Sequence, residues 1–173
     1  HVIIFAPLAV SKQTKREGRK FGVKVNICRK QEDVISGINI TNYEMLGHFE
    51  NNNFGGIVLD ESSILKGFSG KFRKAITEFG KTIPYRLCCT ATPAPNDIIE
   101  IINHAVFLGI MEGKEIIALF FTNEGSSSIN YRLKHHGQKD FWKWLASWSV
   151  ALRSPSDIGF DNAKFILPEL HIN

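Results

Sequence analysis

The stretch FGGIVLDESSILKGF, residues 54–68, constrains the fold more than any other part of the chain. Ile57, Val58 and Leu59 form a short apolar run that ends abruptly in two carboxylates, Asp60 and Glu61. A run of this kind bounded by glycines reads as a buried strand of a parallel sheet. In open α/β sheets ligands bind beyond the carboxyl ends of the strands. Two acids placed there can hold a metal and a water against a phosphate. The plainer use of the same pair is structural, with Asp60 capping the next turn and Glu61 favouring a helix start.

Around that strand the chain alternates strands and helices. Residues 2–6 (VIIFA), 23–27 (VKVNI), 38–41 and 85–89 have strand character. Ser11 is placed to cap a basic helix, and NYEML, running on from 38–41, opens a short helix. A helix capped by Ser69 should end at Gly80, with Phe72, Ala75, Ile76 and Phe79 along one face. A second, capped by Asn96 or Asp97, carries Ile98, Ile101, Ile102 and Ala105. The alternation predicts an α/β domain with a three-layer parallel sheet. Residues 124–138 read as a long surface loop. Phe141, Trp144, Leu145, Trp148 and Leu152 share one helical face, a stripe of the kind that docks on a core.

At 173 residues the chain has the length of one domain. No apolar run approaches the roughly 18 residues of a membrane span, and the amino end carries no leader with a cleavage site. Cys28, Cys88 and Cys89 lack metal-site spacing and are read as reduced thiols, which points to a cytoplasmic, disulfide-free protein. His135, His136 and Asp140 lack the spacing of a helix-borne metal site and are read as surface loop. The net charge of +4 is uneven. Lys12, Lys15, Arg16, Arg19 and Lys20 face only Glu17 within residues 11–20, which suggests a polyanion nearby, although such runs also serve as solvated helix faces.

Three strand ends carry polar signatures in order: APLAV (residues 6–10), LDESSILK (59–66) and TATP (90–93). This order resembles the first RecA-like domain of superfamily 2 helicases, and within them the Swi/Snf-type ATPases and their phage and bacterial relatives. Their acidic motif usually reads DEAHRIKN, and DESSILKG keeps Asp60, Glu61 and Lys66 in register. Ala91-Thr92-Pro93 and Asn96 match the motif that follows it, ITNYEML (40–46) resembles the segment before it, and Arg153, Asp157 and Leu167-Pro168 resemble the approach to a second RecA-like domain. Ser62 and Ser63 depart from the usual Ala-His. No G-x-x-x-x-G-K-[ST] occurs; residues 67–72 have the wrong spacing.

The resemblance implies a partial RecA-like domain over residues 1–153 that lacks its phosphate loop, with 154–173 a linker towards a missing second domain. It implies an ATP-dependent translocase on nucleic acid, with duplex DNA the expected partner, from a prokaryote or a phage. Asp60 would hold Mg²⁺ through water, and Glu61 would orient and deprotonate the water that attacks ATP. Thr90, Ala91 and Thr92 would couple the nucleotide to the second domain. Lys12, Lys15, Arg16, Thr41 and Asn42 would meet the nucleic-acid backbone. The isolated chain is expected to be catalytically silent. Two other readings stand beside this one: a non-catalytic binding or scaffold domain derived from such a motor, and a strand-separating DEAD/DEAH-type helicase.

Overall fold

The computed structural model describes residues 1–67, 70–123 and 131–162. The chain forms two compact units, His1–His135 and His136–Asn173.

In the first unit the strands are β1 (Val2–Ala6), β2 (Val25–Ile27), β3 (Ile38–Asn42), β4 (Gly56–Asp60) and β5 (Tyr85–Cys89). They form one five-stranded sheet in the order β2-β3-β1-β4-β5, and every pairing is parallel. The register sets Ala6 beside Asn42, Phe5 beside Leu59, and Asp60 beside Cys89, so four strands end at one edge. Helices α1 (Ser11–Lys20), α2 (Ile64–Gly67), α3 (Gly70–Gly80), α4 (Ile101–Leu108) and α5 (Gly113–Phe120) alternate with or follow the strands. The arrangement is the α/β, RecA-like parallel sheet that the sequence predicts.

The core holds Ile3, Phe5, Ile57, Leu59, Leu65, Ile76 and Phe107, with Tyr43, Phe49 and Phe54 closing it. Each such side chain contributes about 1.5–3 kcal/mol by leaving water. Phe5 is ringed by Tyr43, Phe49 and Phe79 at 5.8–6.3 Å. Asn39, fully buried on β3, ties β3 to β2 and to the loop that precedes β3. Its Nδ2 donates to the Ile35 carbonyl at 2.9 Å, and its Oδ1 accepts from the Ile35 N–H and from Asn26 Nδ2, each at 3.0 Å.

Several local expectations need correction. Ser11 does not cap α1: Val10 stands at the N-cap, and Ser11 is a buried residue of the first turn. Of NYEML, Asn42 closes β3 and residues 43–46 lie in a 3₁₀ segment, Tyr43–His48. Ala75 is exposed while Phe72, Ile76 and Phe79 turn inward, because Ala75 sits at the margin of the stripe. Ser69 lies outside the described residues. The long loop is interrupted: β6 (Phe121–Asn123) pairs antiparallel with β7 (Tyr131–Leu133), while 124–130 lie outside the described residues. No helix of the described residues is long and apolar enough to cross a membrane.

The second unit carries α6 (Gln138–Ala146), where the Phe141 and Trp144 rings lie 5.8 Å apart, tilted at 43° to each other. The helix stops short of Trp148 and Leu152, and beyond its end the Ser147 and Ser149 hydroxyls donate to the Trp144 and Leu145 carbonyls at 2.6 and 2.7 Å. Ser154 and Asp157 then form a reciprocal capping box.

Candidate active site

The site is built at the carboxyl edge of the sheet, where β4 and β5 release their chains side by side. β4 ends at Asp60, and its last carbonyl accepts a 2.7 Å hydrogen bond from the Tyr43 hydroxyl, which fixes the strand end from the neighbouring 3₁₀ segment. Burial holds the phenol well above its ordinary pKa, with the thiol of Cys88 and the carboxylates of Asp60 and Glu61 adding to the effect. Tyr43 therefore stays a donor at any physiological pH.

Glu61 follows with φ +55°, the left-handed region, and no other described residue apart from glycine has a positive φ. The conformation lets the chain reverse sharply out of the strand. Ile64, Leu65 and Lys66 N–H groups donate back to the Glu61, Ser62 and Ser63 carbonyls at 3.0–3.2 Å, winding the turn into α2. Leu65, fully buried, anchors it. Glu61 itself is exposed.

Across from it, the chain leaving β5 supplies Thr90, whose hydroxyl donates to Glu61 Oε2 at 3.5 Å and accepts the Thr92 N–H at 3.1 Å. The Ser62 N–H donates to the Cys89 carbonyl at 2.9 Å, so backbone as well as side chain bridges the two turns. The acidic pair and the Thr90-Ala91-Thr92 turn, 30 residues apart in sequence, thus meet at one place.

A second link was not read from the sequence. Lys66 Nζ lies 3.4 Å from Glu100 Oε1, and both side chains are largely buried. The same carboxylate accepts the Asn96 side-chain amide at 3.2 Å and the Asn96 N–H at 3.3 Å. Lys66 and Asn96, singled out separately above, are joined through Glu100. The available signal was the i, i+4 spacing of Asn96 and Glu100 on either side of Asp97, which caps the next turn by accepting the Ile99 N–H. Ser62 and His104, also missed, meet below this surface with His104 Nε2 3.1 Å from Ser62 Oγ.

The cationic and β3 candidates fall differently. Lys12 and Arg16 are exposed and Lys15 is half-buried on α1, which starts at the same sheet edge. Arg16 and Lys20 lie 3.9 and 2.9 Å from Glu17. Thr41 is only 1 % exposed and its Oγ1 has no hydrogen-bond partner among the described residues. A hydroxyl so placed does not reach a nucleic-acid backbone in this conformation, because Thr41 lies beside Phe5 on the face of the sheet that the core covers. The amide of Asn42 is engaged by the Glu44 carboxylate.

Among the described residues no group of three or more His, Cys, Asp or Glu side chains is placed to hold a metal ion. His135, His136 and Asp140 form no such group. At the sheet edge the donors are hard oxygens from Asp60, Glu61 and Thr90. That set fits Mg²⁺ that keeps several waters and is completed by substrate phosphates, a pattern in which one or two carboxylates suffice.

No family model matches the chain, and no curated protein matches it. Among solved structures it is similar to the SWI2/SNF2 ATPase core domain of Sulfolobus solfataricus, with a TM-score of 0.54 and 23 % identity. The match covers 69 % of this chain and 27 % of that one, so the chain spans about a quarter of its structural neighbour. The likeness places the chain in the RecA-like fold of SWI2/SNF2-type ATPase cores.

Proposed function

We propose that the chain is part of the first motor domain of an ATP-dependent translocase on nucleic acid, of the SWI2/SNF2 type. The observation that carries this reading is the meeting of Glu61 with Thr90 where two adjacent parallel strands end. An exposed acid held beside a polar turn at that edge is what a phosphoryl-transfer site requires, since catalysis there consists largely of positioning and charge stabilisation. Asp60 would hold Mg²⁺ through water, and Glu61 would orient the attacking water and accept its proton. Thr90 and Thr92, with Ala91 between them, would pass the nucleotide state to a second domain. The sequence contains no G-x-x-x-x-G-K-[ST], so a β/γ-phosphate cradle would have to come from elsewhere in the complete protein.

Duplex DNA is the proposed partner. Lys12, Lys15 and Arg16 would meet its backbone through sequence-independent contacts, and Asn42 would join them only on release from Glu44. Residues 1–153 would form the motor domain, and 154–173 would lead to the next.

The test is ATP hydrolysis by the complete protein with no nucleic acid, with duplex DNA and with single-stranded RNA. Stimulation by duplex DNA is expected, and Glu61→Gln should lower turnover roughly 10²–10⁴-fold, the range for a lost general base. Turnover within a factor of two of wild type would remove Glu61 from the role. Absence of hydrolysis under every condition would favour a non-catalytic scaffold. Changing Lys12, Lys15 and Arg16 together to Gln should weaken DNA binding and flatten the log–log salt slope by about 2–3 units; an unchanged slope would exclude them from the interface.

A further inference from the structure

Directly behind the acidic turn, α4 presents a histidine that the proposed chemistry does not use. His104 is 5 % exposed and Ser62 is 0 % exposed. His104 Nε2 and Ser62 Oγ share a 3.1 Å hydrogen bond. The other ring nitrogen, Nδ1, is buried without a hydrogen bond of ordinary geometry. Burial lowers the imidazole pKa, outweighing the opposing influence of the Glu100 and Ser62 backbone. A neutral imidazole with one nitrogen committed to a single hydroxyl is a polar group kept in the interior at a cost, and nothing in the packing of α4 calls for it: Ile101, Ile102, Ala105 and Phe107 supply the helix's apolar contacts.

The hydroxyl it holds belongs to the residue that directly follows Glu61. Ser62 is held through its N–H, its carbonyl and its hydroxyl: the N–H donates to the Cys89 carbonyl at 2.9 Å, the carbonyl accepts the Leu65 N–H at 3.0 Å, and the hydroxyl meets His104, with the Cys88 thiol also beside it. The residue immediately before it, Glu61, adopts φ +55°. A non-glycine residue stays in that region only where its surroundings over-determine it. One of these restraints is local to the turn and one comes from the end of β5. The third comes from a helix, and that helix begins at the residue after Glu100, to which both Lys66 and Asn96 are bound.

We infer that His104 is a positioning residue which, through Ser62, holds the Glu61 turn in its left-handed conformation and so keeps the Glu61 carboxylate beside Thr90. Its role in turnover rests on the proposed ATPase reading; its role in holding the turn does not. The two are separable by experiment.

In the 173-residue chain, ¹⁵N NMR of His104→Phe and His104→Gln reads the turn directly. His104→Phe should shift the Glu61 and Thr90 amides and lower the hydrogen-exchange protection of the Ser62 amide at least tenfold, with core amides such as Phe5 and Leu59 unchanged. His104→Gln, which keeps a polar group opposite Ser62 and serves if the Phe variant does not fold, should stay nearer wild type in both. Wild-type shifts and protection in the Phe variant, or losses in the Gln variant confined to α4, would overturn the inference without touching the ATPase reading. In the complete protein, Ser62→Ala and His104→Phe should each lower kcat about tenfold with KM nearly unchanged, and the double variant should fall no further than either single one. Fully additive losses, or a wild-type kcat in both single variants, would refute the positioning role in turnover. A wild-type enzyme without ATPase activity would refute the functional reading instead, leaving the NMR result to stand on its own.

Discussion

Glu61 occupies a backbone conformation that its own side chain opposes. The left-handed region costs an L-residue about 1–2 kcal/mol, while glycine there avoids the clash at a smaller entropic cost of roughly 0.5–1 kcal/mol. Glu61→Gly is therefore expected to raise the stability of the domain slightly, by roughly 0.5–1 kcal/mol, seen as a higher denaturant midpoint at unchanged m-value. A lower midpoint would mean that the 3.5 Å contact with Thr90 contributes more than the strain costs. His104 gives a second expectation at this scale. Its folded-state pKa lies below the usual 6.5 because burial disfavours the imidazolium. The unfolded chain thus binds the proton first as pH falls. The contribution of His104 to stability should be constant above pH 6.5 and decline below it, through the interval down to the depressed folded-state value. His104→Gln should flatten that part of a melting-temperature profile between pH 7.5 and 5; an unchanged decline would place its source in other groups.

At the scale of elements, the strands and the helices α3 and α4 were legible because each carries its own period. The apolar run of residues 57–59 and the alternation of strands with amphipathic segments needed no tertiary information. What could not be read were the contacts that join elements. Asn39 looks like any polar residue in a strand, yet it has five hydrogen bonds within 3.4 Å, to Asn26, Ile35, Gly37 and Val2. Asn39→Ala should cost about 1–3 kcal/mol, since the bonds of a fully buried amide to β2 and to the loop before β3 are lost; equilibrium unfolding checks this. Tyr43→Phe should cost nearer 1 kcal/mol, the net worth of one hydrogen bond to the Asp60 carbonyl. The candidate site was legible as a set of strand ends, Asp60-Glu61 and Thr90-Thr92. Its supports, Glu100, Ser62 and His104, were not, because their partners lie 34 to 42 residues away and no local pattern marks such pairs. Thr41 was misplaced for the complementary reason: a polar residue at a strand end resembles a ligand contact until the neighbouring strands bury it.

Across the whole first unit, one helix end shows how the sheet and its covering layer are locked. Gly109 ends α4 at φ +73°, and a β-carbon there would lie 2.6 Å from Arg86 Nη2. Arg86 reaches from β5 to donate to the Phe107 carbonyl at 3.0 Å, placing a cation against the negative end of the helix. Strand β5 is thereby fastened on its inner face and along its β4 side. Its other flank is different: β5 is the last strand in the sheet order, with Tyr85 78 % and Leu87 52 % exposed. Among the described residues nothing pairs with that flank. An edge strand with no strand on its outer flank, carrying exposed Tyr85 and Leu87, is a template on which another extended segment can pair. At high concentration the 173-residue chain should therefore associate in a concentration-dependent manner, and Leu87→Lys should shift the onset upward in light scattering, the charge making each added strand unwelcome. The feature that leaves this flank open makes the domain's solubility, rather than its folding, the property most sensitive to what lies beside β5.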